Sequence, residues 1–218
     1  GWSLLCSNSP QEVMDLGLVS HLATVKARVP ILHFFDGNRT SHEIQKIHRI
    51  PYEDIEKLVR HDLIDSNLRA ASLNPVAPIA RGTGQRPDIF FQSNMASERF
   101  YRECTKHIED SMDEVEALTG RRYNLFDYYG HPEAENVIVI MGSAGNTTQQ
   151  LVKSMIKENN EKVGVVKVRC YRPWSAQHFF ASLPESVKKI AVLDRTREEG
   201  ALGNPLFLDV AVSLKENE

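Results

Sequence analysis

The sequence has 218 residues, 41% hydrophobic and 25% charged, with a net charge of −3. That is ordinary globular composition and excludes collagen, coiled coil and disorder. The near-neutral charge gives no footprint for nucleic acid or an acidic membrane surface, and no apolar run approaches the ~20 residues of a membrane span.

The length allows one large domain or two small ones, with a sizeable core either way. Gly1-Trp2 is neither a translation start nor a secretory signal, so a piece of something longer is expected. Cys6, Cys104 and Cys170 lie far apart and make no CxxC, which leaves no ligand set for a zinc ribbon or an iron–sulfur cluster. They fit a reducing compartment, with buried thiols expected. The sequons at Asn38 and Asn146 are read as chance.

In chain order, Ser9-Pro10-Gln11-Glu12 signals a helix start. Ser9 caps, Pro10 suits the first position and Glu12 completes a capping box. Val13, Leu16, Leu18, Val19, Leu22 and Val25 continue an apolar face to about Arg28. Ile31-Leu32-His33-Phe34-Phe35, between Pro30 and Asp36-Gly37, predicts a buried strand. Residues 38–43 predict a polar loop entering a short helix, and 52–60 another helix.

Proline and glycine punctuate 73–87. Val76, Ile79, Ile89, Phe90 and Phe91 are too apolar for a solvated tether, so a connector lying over other surfaces is expected. A long helix follows over 93–118, closed by Gly120. The last third predicts strands at 137–141, 163–168 and 190–193, alternating with helices at 147–159, 175–181 and 205–214. This rhythm predicts an α/β fold with a parallel sheet and right-handed crossovers. The strand at 31–35 is expected in a different sheet. The expected division is 1–72, a connector at 73–132, and 133–218.

Two loops carry candidate chemistry. The turn Gly142-Ser143-Ala144-Gly145-Asn146 lies between strand and helix, where N–H groups can face an anion. Arg169 and Arg172, then Asp194, Arg195 and Arg197, follow the next two strands, on the carboxyl edge where open α/β sheets bind ligands. Gly142, Ser143, Asn146, Arg169 and Arg172 are thus a candidate anion site. The alternative is a plain turn, with both arginines paired to internal carboxylates. The second loop offers Asp36, Arg39, Thr40 and His42 as a candidate interface or site, or else as a capped helix start. Gly82-Thr83-Gly84 lacks the helix a phosphate loop needs, and is read as a turn. His42-Glu43 is not a zincin motif, because Lys46 stands where the second His belongs.

Ser9-Pro10-Gln11-Glu12-Val13, the run from Val29 to Gly37, and Arg39-Thr40-Ser41-His42-Glu43-Ile44-Gln45-Lys46-Ile47 resemble the pyruvate:ferredoxin (flavodoxin) oxidoreductase family. So do Pro87-Asp88-Ile89-Phe90-Phe91-Gln92, Leu118-Thr119-Gly120-Arg121-Arg122-Tyr123, Leu125-Phe126-Asp127-Tyr128, Tyr171-Arg172-Pro173 and Ala191-Val192-Leu193-Asp194-Arg195-Thr196. Asn38 departs from the aromatic residue expected there.

The resemblance implies a large multidomain enzyme with thiamine diphosphate, magnesium and [4Fe-4S] clusters. Such enzymes decarboxylate pyruvate oxidatively to acetyl-CoA and pass electrons to ferredoxin or flavodoxin; some relatives reduce NADP. It also implies that 1–72 is the end of a pyrimidine-binding-type domain and 133–218 a transketolase C-terminal-like domain. The family's catalytic residues would lie before Gly1 and its cluster cysteines after Glu218. Neither catalytic nor metal-binding residues are therefore expected within this chain, and alone it should bind no thiamine diphosphate. The expected partners are the remaining domains of the parent, coenzyme A and a second copy in a homodimer, in the cytoplasm or an anaerobic mitochondrion-related organelle. The rivals are a non-catalytic α/β subunit that binds a small anion or a partner chain, and the same family acting on another 2-oxoacid.

Overall fold

Seven strands form two sheets in the computed structural model, which describes residues 1–78 and 84–217. β1 (Ser3–Cys6), β2 (Ile31–Phe34) and β6 (Cys170–Arg172) make the first, in the order β2-β1-β6. β3 (Phe126–Gly130), β4 (Asn136–Met141), β5 (Val163–Val168) and β7 (Lys189–Leu193) make the second, in the order β3-β5-β4-β7. β4 lies at its centre, parallel to both β5 and β7, as the apolar runs predicted. β3 is antiparallel to β5, so the sheet is mixed rather than purely parallel.

Each strand has two faces because side chains alternate. Val137 and Val139 of β4, with Val166 and Val168 of β5, face the larger core. Ile138, Ile140 and Val165 face the other side, where α5 (Ala144–Asn159) covers them with Val152 and Ile156. On the larger-core side Phe179 of α6 (Ala176–Ser182) and Leu206 and Val210 of α7 (Pro205–Glu216) pack down. Helices thus cover both faces. The chain passes from β4 to β5 on one side, then crosses to β7 on the other, so β4 is the point where strand order reverses.

α1 (Pro10–Ala27) starts as expected, with Ser9 Oγ accepting from the Glu12 N–H at 3.2 Å. The capping box does not close on itself, since the Glu12 carboxylate takes the Asn8 N–H at 2.9 Å. The inward face of α1 includes Glu12 and Asp15 beside Leu16, Val19 and Ala23. Asp15 is fully buried, and accepts from Arg121 Nε at 2.6 Å, Arg121 Nη2 at 2.8 Å and Tyr123 Oη at 2.6 Å. α4 (Pro87–Thr119) packs Cys104, Ile108, Met112 and Val115 into the same core and ends at Gly120.

Several expectations are corrected. β2 is an edge strand, with Leu32 48% exposed, because only β1 pairs with it. No helix follows 38–43: residues 37–42 form turns, since the Asp36 side chain takes the N–H groups of Arg39 and Thr40. α2 (Tyr52–Leu58) and α3 (His61–Ala71) come after Pro51. Within this chain Val76, Ile89, Phe90 and Phe91 are exposed, and the last three belong to the first turns of α4. Ile79, Gly82 and Thr83 lie outside the described residues. All three cysteines are buried and unpaired. Among the described residues no helix is long and apolar enough to cross a membrane.

Gly164 of β5 tests the packing of the mixed sheet. A Cβ there would lie 2.4 Å from the Tyr128 ring, whose hydroxyl donates to the His131 carbonyl at 2.5 Å. Gly164→Ala must displace that ring. The expected loss in urea denaturation is about 1–3 kcal/mol, the usual range for overpacking.

Candidate functional site

The carboxyl ends of β2, β4 and β7 converge on one cleft of about 530 Å³. Cys6, Phe34, Phe35, Ile140, Met141 and Leu193 give it an apolar lining, and Asp36, Arg39, Asp194 and Arg195 bring charge. Its position between β4 and β7 is the topological switch point, the usual ligand crevice of an open α/β sheet. The two loops singled out in the sequence therefore meet, although 107 positions separate Asp36 from Ser143.

They meet through a hydrogen bond. The Ser143 N–H, at the start of α5, donates to Asp36 Oδ2 at 2.8 Å. α5 has no side-chain cap of its own. Asp36 supplies the missing acceptor and a negative charge at the positive end of the helix. Its Oδ1 accepts the Arg39 and Thr40 N–H groups, each at 3.2 Å. Burial opposes ionisation of Asp36, but the Ser143, Thr40 and Arg39 donors outweigh it and hold the carboxyl well below the usual range. Gly142 makes the approach possible: its φ is 83°, and a Cβ there would sit 3.4 Å from Asp36 Oδ2. The anion position at this helix start thus carries an internal carboxylate.

Arg169 and Arg172 do not join that position. Arg169 is 1% exposed. Its Nε and Nη2 donate to Glu12 at 3.2 and 2.9 Å, and Nη1 pairs with Asp127. Arg172 donates to Asp209 Oδ2 at 2.9 Å and stacks on Tyr171. Both guanidinium groups therefore serve internal carboxylates.

Asn146 bridges the Asn8 carbonyl at 3.2 Å and the buried Lys167 ammonium at 2.9 Å. Lys167 also donates to Gln149 and lies over the Tyr129 ring. Burial, then Arg169, lowers its pKa. His42 is exposed and folds back on Ser41 and the Gly37 carbonyl, while Thr40 is buried with its hydroxyl unpartnered among the described residues. Burial pushes the Cys6 thiol up to about 12, so it is no nucleophile at neutral pH. Cys6 entered the site unannounced, because β1 gave no distinctive signal in the sequence.

Two family models match, one after the other. Residues 1–113 match "Pyruvate flavodoxin/ferredoxin oxidoreductase, thiamine diP-bdg", and 134–218 match "Pyruvate:ferredoxin oxidoreductase core domain II". The chain belongs to the pyruvate flavodoxin/ferredoxin oxidoreductase family.

Within this family it is 54% identical, over 217 residues, to a pyruvate:ferredoxin oxidoreductase of Moorella thermoacetica. It is 50% identical over 214 residues to a pyruvate-flavodoxin oxidoreductase of Rhodospirillum rubrum, and 45% over 218 to a pyruvate dehydrogenase [NADP(+)] of Cryptosporidium parvum. These matches cover 98–100% of this chain but only 18%, 18% and 11% of the three relatives. Among solved structures, a 2-oxoglutarate:ferredoxin oxidoreductase from Magnetococcus marinus aligns at 13% identity, over 91% of this chain and 35% of that one, with a TM-score of 0.48.

Three variants test the buried ion pair and the Asp36 contact. Arg169→Met leaves Glu12 and Asp127 buried without their cation, and should cost about 3–5 kcal/mol in urea denaturation at pH 7. Burial opposes ionisation of Glu12, but Arg169 and Asn8 outweigh it and hold the carboxyl below 4.5, its ordinary value. The stability this pair gives is therefore full above that value and lost as pH falls through the lower, folded one. Stability should be flat above about pH 5 and fall in acid, with a shallower fall in Glu12→Gln.

Asp36→Ala should cost about 1–3 kcal/mol by orphaning N–H groups. Hydrogen exchange should speed up at the Ser143 and Thr40 amides while β5 amides stay protected. Unchanged exchange at Ser143 would show that Asp36 does not hold the start of α5.

Proposed function

We propose that this chain is a scaffold segment of a thiamine diphosphate-dependent oxidoreductase. That enzyme converts pyruvate and coenzyme A to acetyl-CoA and carbon dioxide, and passes the electrons to ferredoxin or flavodoxin. The observation that carries this reading is the 54% identity across essentially the whole chain, with two family models matching one after the other. The magnesium, the [4Fe-4S] clusters, coenzyme A binding and a homodimeric assembly belong to the same proposal, and lie with the rest of the polypeptide.

We infer that the charged end of thiamine diphosphate is held outside this chain. Magnesium there takes one or two carboxylates besides the phosphate oxygens. The acidic groups nearest the cleft are engaged internally: Asp36 with Ser143, and Asp194 with the Leu206 N–H at 2.7 Å. No catalytic step is assigned to any residue of this chain. Its proposed part is to hold the cleft and the two sheets in a fixed relation.

We further propose the division at 1–72, 73–132 and 133–218, with the last segment transketolase C-terminal-like. The gap between the two family matches, at 114–133, supports the junction near 132 alone, since the first match runs through 72 and 73 without a break. The three segments nonetheless share one core, since Leu16, Ile108 and Val139 lie in the same cluster.

The test is an anaerobic assay of the full-length protein with pyruvate, coenzyme A and oxidised ferredoxin or flavodoxin. Acceptor reduction should require all three components, and stop when thiamine diphosphate is removed. Reduction with a different 2-oxoacid, but none with pyruvate, would overturn the substrate. Reduction with no 2-oxoacid at all would overturn the activity.

A further inference from the structure

The cleft at the switch point keeps features that its internal contacts do not use. Its volume of about 530 Å³ lies within the ~300–1,000 Å³ of small-molecule sites. Phe35 and Leu193, which line it, are 38% and 48% exposed, an apolar surface left open at the rim of a concavity. Arg39 also lines it, and its guanidinium has no partner among the described residues. Arg195 lines it from the opposite loop, with a single contact at 3.4 Å to Asp36 Oδ1, the oxygen that takes the Arg39 N–H. Two cations with unused donors therefore border an apolar lining.

The acidic groups oppose an anion there less than their charge suggests. Asp36 faces the N–H groups of Ser143, Arg39 and Thr40, and Asp194 those of Leu206 and Thr196. An incoming anion cannot take the start of α5, because Asp36 holds it. It must meet the arginine side instead.

We propose that this cleft binds a small amphiphilic anion. Its apolar body rests against Phe34, Phe35 and Leu193, and its carboxylate or phosphate is held by Arg39 and Arg195. Neither charge nor apolar surface suffices alone: an exposed arginine pair holds inorganic phosphate only weakly in water, and a neutral ring leaves the cations unused. The site is separate from the proposed redox activity and does not depend on it.

The experiment uses the full-length protein with benzoate, phenyl phosphate, inorganic phosphate and neutral benzamide as probes. Phenylglyoxal labels accessible arginines, and peptide mass spectrometry reads each one. Benzoate and phenyl phosphate at about ten times Kd should slow labelling of Arg39 and Arg195 about tenfold, the factor 1 + [L]/Kd. Arg197, which lines a different pocket, should be labelled as before. Benzamide should protect neither arginine. Arg39→Gln removes a side chain without described partners, so the fold should stand, and protection of Arg195 should disappear.

Protection by inorganic phosphate equal to that by phenyl phosphate would overturn the apolar half of the proposal. Unchanged labelling of Arg39 and Arg195 with every probe would overturn the site itself. Both readouts hold whether or not the protein turns over pyruvate, so failure here is distinct from failure of the proposed activity.

Discussion

The buried Arg169 guanidinium is the constraint on which the two sheets depend. Arg169 is the single residue between β5 and β6, where the chain leaves one sheet and enters the other. Taking its charge out of water costs several kcal/mol, recovered only if carboxylates and hydrogen bonds surround it. Glu12 arrives from the first turn of α1 and Asp127 from β3. The backbone is committed as well: the Arg169 N–H donates to the Leu125 carbonyl at 2.9 Å, and its own carbonyl accepts the Cys6 N–H at 2.8 Å. One residue thus fixes β1, α1, β3 and β5 relative to each other, with little freedom for the sheets to slide.

The cleft is a consequence of that fixing. With β1 and β5 locked at their carboxyl ends, β2 runs parallel to β1 and delivers Asp36 beside the end of β4. The start of α5 needs an acceptor, and the β2 loop needs a fold without a helix. One carboxylate satisfies both. This geometry also places a carboxylate where a phosphate cradle would have its anion. Its most favourable anion position is occupied from within, and what stays open is a partly apolar concavity bordered by arginines.

What was legible in the sequence follows from how local each signal is. The runs 137–141, 163–168 and 190–193 are continuous and apolar, so their strands emerged with the right neighbours and direction. β1 and β6 are four and three residues long, too short for periodicity, and they exist because they pair with each other across the chain. Asp127 and Tyr129 of β3 interrupt an apolar pattern. Both point toward charge: Asp127 pairs with Arg169, and Tyr129 lies under Lys167. A helical count of apolar positions likewise gave α1 the right extent, while Glu12 and Asp15 sat unexpectedly on its inward face. Each site loop was visible alone, but their joining rests on a hydrogen bond between residues 107 positions apart, and single-sequence patterns carry no such term.

α4 shows the same division within one element. Its C-terminal half presents Cys104, Ile108, Met112 and Val115 at spacings of four, four and three, and all four are buried against the core. Its first turns present Ile89, Phe90, Phe91 and Met95 with equal apolar content, yet each is more than half exposed. Hydropathy cannot separate the two halves, because both carry large apolar side chains. Periodicity can. The buried set keeps to one stripe, whereas Ile89, Phe90 and Phe91 are consecutive and spread around the helix, so no single flat surface could cover them. The apolar residues at 89–91 were expected to lie over other surfaces; within this chain they cover none, and their angular spread needs more than one surface to cover them.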